Sequence, residues 1–488
     1  MRKTVALGTL YLTLSNVFVL IFSYGLHAIL GRVLGPADYG FFGLIISFLV
    51  WFEIVLSGVS GTATKKLAEF PILEKLVEKR FVFLQLLIAL AVFILAFLFS
   101  PFLSRVFKDP KVSFYFKIAI IDIPIVGFYL IYSALLNGLR FYKEQAIVTI
   151  SYSSGKLVFT VGLVLLGFSI KGALIGNIMA SVCGFLAGLY YFKKFAGRGD
   201  LIENKKDFIE DKVENLKPSN LFKMIAPFTA IMLFFSLLSN IDLWFVKGML
   251  HEQAQVGFYV SAGNLAKAVY FLFAALSMAL FPAITNSISG GRVAQTKGYI
   301  SEAFRFLFMF LLPLALAVSL TSANLVSLIY SSEYRAAGAP LAILVFGYVF
   351  FSLILAVIYI LMAKDDAKEA IILLSGLIII DIILCKAWIP KHELNGAAWA
   401  TTSTCFLGFL FGTGLVWKKF KTLVSFQSFL KILVASLLVS LIFIIPASGI
   451  KLIFLYLFAA VVYIGLLFFF KEIKDEDVAI LKGLFQRS

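Results

Sequence analysis

Eleven ionisable side chains fall inside long apolar runs: His27, Glu53, Lys117, Asp122, Lys156, Lys223, Asp242, Lys267, Arg305, Asp381 and Lys431. Such groups are costly in hydrocarbon, so by default they face a protein interior or a wet cavity. Lys117, Lys223 and Lys431 lie near the ends of their runs, where a long stem lets the charge reach the headgroups. The others are placed to do chemistry. Asn16, Ser23 and His27 fall at steps of seven and four, and Asn264 precedes Lys267 by three. Tyr152, Lys156 and Thr160 share a helical face, as do Ser301 and Arg305. Lys156, Lys267 and Arg305, with His27 and Arg32 nearer one end and Asn264 beside Lys267, are expected to form a cationic cavity. Its fitting ligand is an anion, which Arg and Lys supply with donors and charge. An alternative stays open for each cation: pairing with Glu53, Asp122 or Asp242 to lock helices together. His27 alone also reads as a hydrogen-bonded packing residue, and Arg32 and Arg140, at helix ends, as headgroup contacts.

What must position these residues is a membrane. Only 14% of the chain is charged and 61% is apolar, with 53 Phe and a mean hydropathy of +0.98. A soluble chain would carry about 25% charged residues. Runs of about 20 apolar residues place helices at 4–32, 39–63, 81–104, 112–139, 143–167 and 170–193. After a polar stretch they resume at 220–247, 254–284, 298–320, 338–362, 367–389, 395–417, 428–446 and 450–470. The expectation is an all-α polytopic membrane protein with about fourteen transmembrane helices. Lys and Arg gather in alternate loops, from Arg2 and Lys3 through Lys65–Arg80 and Lys193–Lys217 to Lys418, Lys419 and Lys421. That alternation predicts both termini in the cytoplasm, and the expected location is the plasma membrane. It also accounts for the net charge of +16 without nucleic acid. Cys183, Cys385 and Cys405 have no ligand spacing, so neither disulfides nor a metal site are expected. Arg2-Lys3 and the apolar run behind them read as a first membrane helix, being too long for a cleaved signal.

The helices repeat. Ala37-Asp38-Tyr39-Gly40-Phe41-Phe42 resembles Ala254-Gln255-Val256-Gly257-Phe258-Tyr259 at an offset of 217. Ser100, Leu103, Val106 and Phe107 find Ser322, Leu325, Leu328 and Ile329 at 222. Ile170-Lys171-Gly172-Ala173-Leu174 matches Leu394-Asn395-Gly396-Ala397-Ala398 at 224, and Lys143-Glu144 matches Lys368-Glu369 at 225. Four matches in one order, each at the same helix edge, imply a duplicated six-helix unit. An even number of helices gives both copies one orientation, and parallel repeats place a substrate site between the halves near mid-membrane. The expected organisation is an N-lobe over 1–195, a cytoplasmic linker over 196–219, a C-lobe over 220–420, and accessory helices with a tail over 421–488.

The segment Gly31-Arg32-Val33-Leu34-Gly35-Pro36-Ala37-Asp38-Tyr39-Gly40 resembles the stretch between the first two helices of polysaccharide-export flippases. Gly58-Val59-Ser60-Gly61-Thr62-Ala63-Thr64-Lys65-Lys66-Leu67-Ala68-Glu69 is similar to theirs as well, with small residues leading into a basic end. That family shares a superfamily with multidrug and toxin extruders and lipid II flippases. The resemblance implies two six-helix lobes around a central cavity. It implies a flippase that carries polyprenyl-phosphate- or pyrophosphate-linked oligosaccharide from the inner to the outer leaflet by alternating access. The implied partners are that lipid-linked oligosaccharide, the membrane lipids, and a glycan polymerase or glycosyltransferases of the same pathway. Lipid II flippases hold sodium between carboxylates on two helices of the second lobe, and Asp242 and Asp381 occupy similar positions. Leu377 stands where an amide would be expected, while Asn240 and Thr401 are candidates to complete an oxygen shell. Sodium and proton both remain open as coupling ion.

No cofactor, metal or catalytic residue is expected. Ser154-Gly155-Lys156-Leu157 lacks the leading glycine and the hydroxyl of a phosphate-binding loop, and no Ser/His/Asp or Cys/His cluster stands out. The rival reading is a cation-coupled multidrug extruder of the same fold, whose cavity would be acidic or aromatic. Pro124, Pro227, Pro282 and Pro313 each remove a backbone bond from a helix and are candidate bends.

Overall fold

The computed structural model describes residues 2–195, 218–250, 252–364 and 366–473. The linker expected over 196–219 lies almost wholly outside the described residues, as does the tail beyond 473. Among the described residues all regular structure is helical: α1 (Arg2–Glu69), α2 (Glu74–Val106), α3 (Pro110–Ala119), α4 (Asp122–Gly138), α5 (Tyr142–Leu163) and α6 (Ser169–Phe195). There follow α7 (Pro218–Leu238), α8 (Ile241–Met249), α9 (Gln253–Ser289), α10 (Val293–Ile329), α11 (Gly338–Ala363), α12 (Ala367–Phe420), α13 (Phe426–Ser440) and α14 (Ile450–Phe469). Among the described residues, eleven helical stretches are long and apolar enough to cross a membrane. Three of these run for 54 to 60 residues, enough for two crossings each at about 20 residues per crossing, which is compatible with fourteen. Each of the three is broken inside: α1 at Gly35 (φ 70), the α5–α6 run at Gly167 (φ 90), and α12 at Glu393 (φ 50).

Two compact units emerge, Met1–Asn240 with Leu250–Gly257, and Ile241–Met249 with Phe258–Ser488. In the first, α1 packs on α4, α5 and α7, and α6 packs on α4 and α5. In the second, α11 packs on α10 and α12, α8 on α12, and α13 on α10 and α14. Apolar side chains that stay exposed, such as Phe97 and Leu98 on α2 or Phe454, Phe458 and Val461 on α14, suit contact with lipid rather than water.

The duplication is written into the backbone. Ser169 has φ 46 and ψ −135; Glu393, 224 residues later, has φ 50 and ψ −127. Two side-chain-bearing residues in one rare conformation, at the offset of the sequence match, are hard to reconcile with separate origins. Three residues past each sits a glycine that admits no side chain: Gly172 lies against the Leu163 carbonyl and Gly396 against that of Trp388.

The Gly31–Gly40 motif has a local physical reading. Gly35 takes the positive φ that separates two crossings, and Pro36 restarts the helix, where its missing N–H costs nothing. The Tyr39 hydroxyl, fully buried, meets His27 Nδ1 at 3.1 Å. The Asp38 carboxylate accepts from the Ser169 hydroxyl at 2.6 Å, which ties α1 to the strained joint before α6. Gly40 lies against the backbone of Gly257, its counterpart in the repeat, and Gly257 against the Pro36 carbonyl, so a side chain on either would collide.

Candidate functional site

Two membrane crossings expected to be continuous are broken, and each break places an aspartate in the first turn of a new helix. Pro124 cannot donate to the Ile120 carbonyl and its ring crowds it, so α3 ends and α4 begins with Asp122, 1% exposed. Near residue 239 the competitor is a side chain rather than a proline. The Ser236 carbonyl accepts from Asn240 Nδ2 at 2.8 Å and from the Ser239 hydroxyl at 3.0 Å. The Asn240 N–H is diverted to Leu237, so α7 stops. Asp242 follows in the first turn of α8, 3% exposed.

In the first unit, Asp122 Oδ2 accepts from Asn177 Nδ2 of α6 at 2.6 Å. Its Oδ1 and Asn177 Oδ1 are buried without a hydrogen-bond partner, and the Ser181 hydroxyl lies close enough to act on the carboxylate. Lys156 of α5 acts electrostatically on both Asp122 and Glu53 of α1. Its ammonium also lies 5.8 Å from the Tyr152 ring, which stacks on Tyr129 at 4.4 Å. The result is two carboxylates sharing one internal cation.

The second unit gathers a different set. Asp242 Oδ2 accepts from the Tyr259 hydroxyl of α9 at 2.6 Å and from Thr401 Oγ1 of α12 at 2.9 Å. Its Oδ1 accepts from the Leu243 N–H at 2.8 Å. Asp381 of α12 is fully buried; its Oδ1 receives Thr404 Oγ1 at 3.2 Å and Cys385 Sγ at 3.9 Å, while Oδ2 has no hydrogen-bond partner. Asp242 and Asp381 feel each other electrostatically, and Lys267 of α9 acts on Asp242.

The expected site residues are thus distributed as follows. Asp242, Asp381 and Thr401 are brought together, with Lys267 in electrostatic reach. Lys156 is gathered with Glu53 and Asp122. Asn264 is half-buried on α9, and His27 is held by Tyr39. Arg32 is exposed on α1. Asn240 is buried, its amide nitrogen turned to its own helix. Arg305 is 3% exposed, with its Nε 3.9 Å from Glu472 Oε1. Sequence reasoning missed Tyr259, Thr404 and Cys385 around the aspartates, and Asn177 and Ser181 around Asp122. The repeat held the signal for two of them, since Asn177 lies 224 before Thr401 and Ser181 lies 223 before Thr404. Among the described residues no group of three or more His, Cys, Asp or Glu could hold a metal.

Fold and clusters together define an all-helical, multi-pass membrane protein with a duplicated core and one buried polar cluster in each unit. The sequence matches the family described as polysaccharide biosynthesis protein over residues 5–288, more than half its length, and the chain belongs to that family. A lipid II flippase in an inward closed conformation is similar in fold, with a TM-score of 0.74 at 16% identity, over 96% of this chain and 99% of that one. An inward-facing multidrug resistance transporter of the MATE family is similar with a TM-score of 0.68 at 14% identity, over 82% of this chain and 95% of that one. A transporter of the same superfamily from Pyrococcus furiosus, described by the reversed polarity of its binding pocket, is similar with a TM-score of 0.53 at 14% identity, over 85% and 94%. No curated protein matches the sequence. These three solved proteins are a flippase and transporters, not enzymes.

Proposed function

We propose that this protein moves a polyprenyl-phosphate- or pyrophosphate-linked oligosaccharide from the inner to the outer leaflet of the plasma membrane. Membership of the polysaccharide biosynthesis family carries the reading, and likeness to a lipid II flippase along nearly the whole chain supports it. Such a cargo has a sugar and phosphate that need a wet, donor-rich path and a lipid tail that does not. Lys156 and Lys267, with Asn264, His27 and Arg32, are the proposed contacts for the phosphate and sugar. Both lysines already act on carboxylates of their own units. The substrate phosphate therefore competes with those carboxylates, and release is aided when they reclaim the ammonium. Glycosyltransferases and a glycan polymerase of the same pathway are the proposed partners.

The coupling ion, sodium or a proton, is proposed to bind among Asp242, Asp381 and Thr401, with Asn240 near by in sequence. The buried Asp381 Oδ2, which has no hydrogen-bond partner, supports this, because a buried acceptor left unmatched points to an ion, proton or water. A second reading, export of a lipophilic cation, is favoured by the likeness to multidrug transporters. Flipping in proteoliposomes separates the two. A fluorescent polyprenyl-diphosphate sugar should move, faster under a sodium or proton gradient, and a lipophilic cation should not compete. Movement of the cation alone would assign the protein to drug export.

A further inference from the structure

Pro313 sits within α10 and has no N–H to give. In an unbroken helix that N–H would bond to the Met309 carbonyl, so the proline leaves an orphaned acceptor inside a membrane-spanning element. Tyr463 of α14 fills the gap: its hydroxyl donates to the Met309 carbonyl at 2.7 Å, with the tyrosine 7% and the methionine 4% exposed. The same two elements are tied at three further levels. The hydroxyls of Thr321 and Tyr456 meet at 2.7 Å, and Asn324 Nδ2 donates to the Ala447 carbonyl at 3.0 Å just before α14. Arg305 Nε lies 3.9 Å from Glu472 Oε1 just after it, an ion pair without a hydrogen bond, with both side chains no more than 4% exposed. Positions 305, 309, 321 and 324 meet 472, 463, 456 and 447 in turn, an antiparallel ladder of polar contacts along the length of α10. A helix that merely filled lipid space would need only apolar packing.

We propose that α14 is a brace that closes the gap Pro313 opens in α10, with Tyr463 and Glu472 as its positioning residues, and that Arg305 serves this brace rather than a substrate phosphate. The last clause departs from what the spacing of Arg305 on its helix suggested; the first does not depend on which substrate is carried. Because α10 packs on both α11 and α13, the brace fixes a helix at the centre of its unit.

Spin labels at Val293 and Leu320, both exposed on α10 and on either side of Pro313, would report its rigidity in a Cys183→Ser protein whose buried Cys385 and Cys405 remain. The distance distribution should be narrow in the parent and broad in Tyr463→Phe. It should narrow again when Pro313→Ala restores the N–H, whatever stands at 463. In the same proteins Tyr463→Phe should lower the thermal midpoint by several degrees, and should lower it much less in the Pro313→Ala background. Equal cost in both backgrounds, or an unchanged distribution, would overturn the brace. For Arg305, Arg305→Ala and Glu472→Ala should each lower the midpoint, and the double variant no further. The half-saturating concentration of lipid-linked sugar should stay unchanged. An Arg305→Ala protein with its midpoint intact and that concentration raised several-fold would return Arg305 to the substrate path. The label and melting readouts need no transport, so they stand or fall apart from the proposed function.

Discussion

The two units put unlike chemistry into like frames. Position 156 of the first and position 381 of the second are separated by 225 residues, the same offset that relates Lys143 to Lys368 at the start of the same helices. One position holds a lysine and the other an aspartate. In the first unit the lysine is a built-in counter-cation for Glu53 and Asp122. In the second, Asp242 is satisfied by Tyr259, Thr401 and the Leu243 N–H, and Asp381 is left with one oxygen unmatched. The duplication therefore supplied two polar clusters. In the first the lysine acts on both carboxylates, whereas in the second Lys267 acts on Asp242 and Asp381 keeps one oxygen unmatched.

The largest effect should come from removing the attached charge. Lys156→Ala leaves the two carboxylates of the first unit without the cation that acts on them, inside membrane-spanning segments where an uncompensated charge is costly. The loss should appear as a clear fall in thermal midpoint of the purified protein, and Lys156→Asp should fail to fold. An undiminished midpoint in Lys156→Ala would mean that Glu53 and Asp122 do not rely on the lysine. Asp381→Asn should do the opposite. It removes a buried charge, so the midpoint should hold or rise, while acceleration of flipping by an ion gradient should vanish. A variant still driven by the gradient would place the coupling site elsewhere.

The helical layout of the fold was legible because membrane helices announce themselves by length and apolarity. The breaks before Asp122 and Asp242 were not. Pro124 was visible as a helix breaker, but it takes the packing of α4 on α6 to bury the aspartate two residues before it. The second break has no proline; Ser239 and Asn240 capture the Ser236 carbonyl, a competition sequence alone does not resolve. Asp242, Asp381 and Thr401, which the structure brings together, stood out in the sequence because carboxylates in hydrocarbon are conspicuous and the resemblance pointed to their helices. Their partners Tyr259 and Thr404 were not, since hydroxyls are common in such helices and carry no sign of which carboxylate they serve. Arg305 lies on a polar face by its spacing, and Glu472, 167 residues on, comes within 3.9 Å of its Nε, a neighbour that no single helix reveals.

The finest test uses the equivalent positions 177 and 401. Asn177→Leu removes the donor at 2.6 Å from Asp122 Oδ2, and Oδ1 is already without a hydrogen-bond partner. The carboxylate then keeps Lys156 for charge but loses its short contact, and the cost should approach the upper part of the range of about 1–3 kcal/mol for a stranded buried acceptor. Thr401→Val removes one of three donors to Asp242 and leaves Tyr259 and the Leu243 N–H in place. Its cost should be about 1 kcal/mol or less, small enough to need side-by-side melts, with the effect on gradient-driven flipping exceeding the effect on stability. If Thr401→Val proved the more destabilising of the two, the second pocket would be the structural one and the first the more adaptable, and the assignment of ion uptake to the Asp381 side would have to be reversed.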